Sequence, residues 1–149
     1  MVKKPKSNVE TFAAPVAGWT KKTDAALLAV FQQSAQDLII KMQTPKAKGG
    51  RMPVRFGFLR SSLQVTLNTP YRGFIQRTSN GPYRWDEAQI SLTINDAVIG
   101  DTIYAAYAAN YAIHREYGTR FSPGDFFVRS AAQTWKQIVD NNVRKLRVK

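Results

Sequence analysis

Ser62-Leu63-Gln64-Val65-Thr66-Leu67-Asn68 is the stretch on which the fold turns. Leu63, Val65 and Leu67 alternate with Ser62, Gln64, Thr66 and Asn68. That period of two puts the apolar side chains on one face of a strand. Asn68-Thr69-Pro70 then closes the strand. Upstream the period changes. Leu28, Phe31, Ala35, Leu38 and Met42 recur in steps of three and four, one stripe along a helix, with Gln32, Gln33, Gln36 and Asp37 off it. Thr20 or Thr23 is the expected N-cap. Pro45 is the expected stop, because proline disfavours helical geometry in the residue before it. A helix over residues 23–43 makes a rod of about 30 Å.

Downstream, residues 46–53 carry Lys46, Lys48, Arg51 and Gly49-Gly50 and read as a flexible basic loop. Residues 71–85 interleave aromatic and basic side chains around a turn at Ser79-Asn80-Gly81-Pro82, either a long hairpin loop or an ordered excursion. Ala88, Ile90, Leu92 and Ile94 alternate with Gln89, Ser91, Thr93 and Asn95, which predicts a second strand. Asn95-Asp96 can turn the chain, and Val98-Ile99 can begin a short third strand. Tyr104, Tyr107, Tyr111 and Ile113-His114 have helical spacing, predicting a short aromatic helix over 104–117 with Gly118 as its left-handed stop. Asp125 follows Pro123-Gly124 and is the expected N-cap of a last helix. Its stripe is Val128, Ala131, Trp135, Ile138, Asn142 and Leu146, and its final basic residues complement the helix dipole.

Residues 1–18 show no sustained period. With Lys3, Lys4, Lys6, Pro5, Pro15 and Gly18 they read as an N-terminal arm that orders against a neighbour. The expected organisation is therefore an arm over 1–18 and a single α+β domain over 19–149. In that domain a small, mostly antiparallel sheet packs with a long N-terminal helix, a short aromatic helix and a C-terminal helix.

The chain has 149 residues, enough for one real core, and is 44% hydrophobic. It has no cysteine, which excludes disulfides and thiolate metal sites. No apolar region follows the basic start, so no signal peptide is expected. No run approaches the roughly 18 apolar residues of a membrane span.

The net charge is +12, and no Asp or Glu occurs between residues 38 and 85. A second basic cluster, Arg144, Lys145, Arg147 and Lys149, ends the chain. Fields of this kind favour a polyanion or an acidic protein neighbour, or simply keep a surface solvated.

Convergent chemistry is hard to assemble here. There is a single histidine, His114, within an aromatic stretch. Asp86 and Glu87 are adjacent, and on a strand they would point to opposite faces. Gly49-Gly50 lacks the strand, helix and Gly-Lys-Ser/Thr ending of a phosphate cradle. A non-enzymatic protein without cofactor or metal is the expectation. Tyr71, Arg72, Phe74, Arg77, Tyr83, Arg84 and Trp85 could form a platform for single strands. No nucleic-acid-binding motif accompanies them, and an apolar loop packed on a neighbouring subunit is the other reading.

Two segments carry a resemblance. Pro53-Val54-Arg55-Phe56-Gly57-Phe58-Leu59-Arg60-Ser61-Ser62-Leu63 resembles the P-x-D-T-G-x-L-R-x-S-I/L signature of phage neck and minor tail proteins. Tyr104-Ala105, then Tyr111-Ala112-Ile113-His114-Arg115-Glu116-Tyr117-Gly118-Thr119-Arg120, then residues 123–131, resemble that family's Y-A-x-x-x-E-x-G-T … P-x-x-F-x-R-x-A ending. The same wording is similar to tail-completion proteins of contractile-tailed phages. Arg55-Phe56 stands where the family has Asp-Thr, and the family's proline near the start of the last helix is replaced around Ser130.

The resemblance implies a structural virion protein at the head–tail junction, made in the host cytoplasm. It would form a hexameric or dodecameric ring around the DNA channel. Its partners would be a head-completion or connector protein and a tail terminator or tail tube protein, with no membrane. Arg60, Glu116 and Arg120 would then be charges on rigid elements at the ring interface, with Tyr71, Phe74 and Trp85 beside them. Lys46, Lys48 and Arg51 would sit at the channel or its rim, near double-stranded DNA, or face an acidic surface of an adjacent ring. The rival expectation is a stand-alone basic nucleic-acid-binding protein.

Overall fold

Helix α1 spans Asn8–Gln43 in the computed structural model, which describes residues 8–148. Its 36 residues make a rod of about 54 Å. Thr20 and Thr23 lie inside it and not at its start, and Pro15 is within the helix. Residues 8–18 of the expected arm are thus helical, and residues 1–7 lie outside the described residues. In the second half of α1, Ser34, Ala35, Ile39, Met42 and Gln43 are buried. Residues 17–22 are all exposed.

A short 3-10 turn (Lys46–Lys48) and helix α2 (Phe58–Ser61) lead into strand β1 (Leu63–Leu67), the strand expected from the alternation. Strand β2 (Ile103–Tyr107) pairs with it antiparallel, Leu63 opposite Tyr107 and Leu67 opposite Ile103. Helix α3 (Glu87–Asn95) interrupts the connection between them. Helix α4 (Ala112–Tyr117), a small hairpin of β3 (Gly118–Thr119) and β4 (Ser122–Pro123), helix α5 (Phe127–Ala132) and helix α6 (Trp135–Val148) complete an α+β fold.

Three expectations are corrected here. The stretch containing Ala88, Ile90, Leu92 and Ile94 is helical and not a strand. Asp86 caps it, its Oδ1 accepting from the Gln89 amide at 3.0 Å, and Ile90 and Ile94 are buried one turn apart while Leu92 points to solvent. Residues 103–107 are a strand and not the start of the aromatic helix. Tyr107 takes the inner face and Tyr104 the outer. Val98 and Ile99 form a turn instead of a third strand, the Val98 amide donating to Asp101 Oδ2 at 2.8 Å.

Two apolar clusters make the core. Ala35, Ile39, Met42, Leu63, Ile90, Ile94 and Ala131 join α1, β1, α3 and α5. Met52, Phe58, Leu59, Ala109 and Phe127 form the second, and Tyr107 and Val128 pack against both. Helix α6 meets α1 through polar groups: buried Asn142 donates to Ser34 Oγ at 3.1 Å and to Asp37 Oδ2 at 2.9 Å. The off-stripe glutamines of α1 face neighbours too. Gln32 Nε2 donates to the Ala97 carbonyl at 3.0 Å, and Gln36 Nε2 to Asn95 Oδ1 at 3.0 Å, tying down the end of α3.

Candidate functional site

The second motif builds a rigid mount for an exposed tip. Glu116, 6% exposed, turns inward from α4, and its two carboxylate oxygens accept from the Val128 and Arg129 amides at 2.9 and 2.8 Å. It supplies the N-terminal cap of α5 from a distance. Asp125, the expected cap, instead carries an ion pair with Lys46, and its Oδ2 lies 2.7 Å from Arg115. The residue at the cap position is Phe126, in left-handed backbone at φ 52°.

The backbone between these acids is closed tightly. The Asp125 amide donates to the Arg115 carbonyl at 2.7 Å and the Phe126 amide to the Glu116 carbonyl at 3.1 Å. Gly118 has φ 87° with ψ 177°, so it departs from the left-handed helical stop expected of it and leads straight into β3. A Cβ on Gly124 would stand 2.4 Å from the Glu116 carbonyl oxygen, which leaves only glycine at that crossing. The β3–β4 hairpin therefore projects from a fixed base. At its tip Phe121 is 87% exposed, with the Arg120 guanidinium 5.1 Å from its ring centroid. Phe121 is absent from the residues singled out in the sequence. Its only signal there was its place between Arg120 and Ser122-Pro123 in a predicted loop.

The first motif is a staple between elements. Gly57 sits at φ 83° before α2, and a Cβ there would lie 2.4 Å from the Tyr83 carbonyl oxygen. Leu59 and Leu63 are core residues. Arg60 Nε donates to the Gln43 carbonyl at 2.9 Å, satisfying the end of α1, and its guanidinium lies 5.3 Å from the Trp85 ring centroid. Fully buried Gln43 returns a bond to the Arg60 carbonyl at 2.8 Å and accepts from the Tyr107 hydroxyl at 2.8 Å. Arg60 and Glu116 are thus engaged within the subunit, while Arg120 is outward-facing.

Residues 71–85 are an ordered excursion. The Ile75 amide donates to the Ala108 carbonyl at 2.8 Å, the Tyr83 amide to the Phe56 carbonyl at 2.8 Å, and Trp85 packs on the first cluster. Tyr71 is half-buried, and Phe74 is 76% exposed. The basic loop is hydrogen-bonded across its base as well. The Lys46 amide donates to the Met52 carbonyl at 3.1 Å, and the Met52 amide to the Thr44 carbonyl at 3.1 Å. A Cβ on Gly50 would come within 2.0 Å of the Thr44 carbonyl oxygen. Lys46 is held by Asp125, Arg51 Nη1 donates to the Asp125 carbonyl at 3.3 Å, and Lys48 is exposed.

Beside this loop lies an open cleft of about 620 Å³ with Lys46, Arg55, Arg77 and Arg115 around Phe56 and Tyr111. Burial pushes the Tyr111 phenol above its ordinary range, and the positive charges of Arg77 and Arg115 oppose that rise. His114 is exposed on α4. Among the described residues no three His, Asp or Glu side chains cluster as metal ligands would, and no helix is long and apolar enough to cross a membrane. Comparison with protein-family models, with characterised proteins and with solved structures gives no match.

Proposed function

We propose that this chain is a structural subunit of the head–tail junction of a tailed phage, a neck or tail-completion protein that assembles into a hexameric or dodecameric ring. One observation carries the reading: the two motif-like segments supply the fold's fixed points, and the second of them mounts a tip at which Phe121 is 87% exposed with the Arg120 guanidinium beside its ring. A ring of identical subunits uses head-to-tail contacts that close by rotation, and a rigid apolar knob beside a charge suits such a contact. Trp19 on α1 and Phe74, both exposed, are further surfaces for a neighbour.

In this reading the ring lies around the DNA channel in the virion and is assembled in the host cytoplasm. It joins a connector or head-completion protein to a tail terminator or tail tube protein, and uses no catalysis and no cofactor. Lys48 and the exposed part of Lys46 stand at the channel rim. The test is native mass spectrometry of the purified chain with negative-stain imaging of tagged particles. Rings of six or twelve copies at the neck are expected. A chain that stays monomeric and is absent from particles overturns the proposal.

A stand-alone nucleic-acid-binding protein is the second reading, favoured by the cation-lined cleft. It requires tight binding of duplex whose log affinity falls by about 0.9 per phosphate contact per log unit of salt.

A further inference from the structure

Arg55 and Arg77 both stack on Phe56, their guanidinium carbons 5.1 and 5.5 Å from its ring centroid. Two like charges gathered on one ring repel, and the ring's quadrupole offsets only part of that. Neither has a carboxylate partner among the described residues. The one acid at hand, Asp125, is buried behind the cleft and already paired with Lys46 and Arg115. The cleft thus keeps an excess of positive charge, with Arg55 and Arg77 exposed at its mouth and the apolar side chains of Val54 and Phe56 on its wall.

From this geometry we infer that the cleft binds an acidic peptide segment of a different protein, its carboxylates on Arg55 and Arg77 and an adjacent apolar side chain against Val54 and Phe56. The basic stretches of this sequence repel the cleft and do not complement it. The first residues carry Lys3, Lys4 and Lys6, and the last carry Arg144, Lys145, Arg147 and Lys149. Phosphates of duplex DNA can use the same arginines, but they leave Val54 and Phe56 without an apolar partner. An extended peptide offers both chemistries at once: charge-assisted hydrogen bonds in a planar fork at arginine, and apolar contact beside them. The inference stands whether or not the chain forms a ring.

The test uses the full-length protein and fluorescence anisotropy with three labelled probes: a short peptide of alternating Asp and Leu, the same peptide with Asn for Asp, and a short DNA duplex. The acidic peptide should bind, the Asn peptide should not, and Arg55→Gln with Arg77→Gln should weaken binding by about tenfold or more. Arg144→Gln with Lys145→Gln, exposed on α6, should change it by less than about twofold. NMR of the wild-type protein gives an independent reading, in which the acidic peptide should shift the Phe56 and Tyr111 signals. Equal binding of both peptides, equal loss in the α6 variant, or unmoved Phe56 and Tyr111 signals overturns the inference. So does a duplex that depends on the same arginines when the peptide does not.

Discussion

Glu116 and Tyr107 show what single side chains do for this fold. The buried Glu116 carboxylate takes two amides at the start of α5, so removing it leaves two part-buried donors without that acceptor. Glu116→Ala should cost about 2–4 kcal/mol in urea unfolding, and Glu116→Gln, which keeps one acceptor, clearly less. A loss of assembly with unchanged stability would show instead that Glu116 serves the interface. Tyr107 bridges both clusters and donates to Gln43. Burial pushes its phenol well above the ordinary range, the Glu116 carboxylate adds to this, and Arg60 opposes it. The raised folded value favours the protonated, neutral phenol. Its contribution to stability is therefore fully present below the unfolded value of about 10 and is lost as pH rises beyond it. Tyr107→Phe should cost about 1 kcal/mol at neutral pH through the lost bond to Gln43. It should also flatten the fall in urea midpoint on the alkaline side of about pH 10. An alkaline fall of the same slope in the variant places the titrating group elsewhere.

At the scale of elements, α3 decides how the chain's periods should be read. Its helical state predicts an asymmetry between two apolar neighbours. Ile94 is fully buried and Leu92 is 60% exposed. Ile94→Ala should cost about 2–4 kcal/mol and Leu92→Ser within about 0.5 kcal/mol, whereas a strand with Leu92 and Ile94 on one face would lose similar amounts from both. Asp86→Ala should cost about 1 kcal/mol with some loss of helical circular dichroism, by removing the cap on the Gln89 amide. The α+β class, β1 and the stop of α1 before Pro45 were legible because their signals are strict, whereas α1 starts at Asn8 and not at Thr20 or Thr23, and the single last helix expected after Asp125 is divided into α5 and α6. The stretch from 88 to 94 was not legible, because apolar positions 88, 90, 92 and 94 satisfy a period of two while only 90 and 94 are buried. The deciding signal was local: Asp86-Glu87, taken only as a failed carboxylate pair, is an N-cap followed by a first-turn acid. Tyr104 and Tyr107 misled in the opposite direction, since a step of three fits a helix but also places two side chains on opposite faces of a strand. Arg60 and Glu116 were visible as important residues. Their partners were not, because a carbonyl at the end of α1 and two amides at the start of α5 leave no pattern in side-chain type.

For the molecule as a whole, several large apolar side chains are exposed on α1 and on the β3–β4 hairpin. Helix α1 presents Trp19, 68% exposed, and Leu27 to solvent, although its C-terminal end is fixed by Gln43, Arg60 and the Asn142 network. The hairpin presents Phe121 from a base closed at Gly118 and Gly124. A flexible loop could fold such a side chain back, but this one is held out. Rigid presentation lowers the ordering cost of a contact, and that cost limits affinity more than area does. Exposed side chains outside such features change stability by no more than about 0.5 kcal/mol when replaced. If the chain forms the proposed ring through this hairpin, Arg120→Ser with Phe121→Ser should leave the urea midpoint where it is and shift the chain from ring to monomer in sedimentation velocity. The reverse pattern, lost stability with assembly intact, assigns Phe121 to the fold. Replacing Trp19 with Ser separates the two surfaces. If α1 makes the lateral contact, Trp19→Ser abolishes rings alone; if the hairpin makes it, the Trp19 variant still closes rings and fails only when a neighbouring component must dock on them.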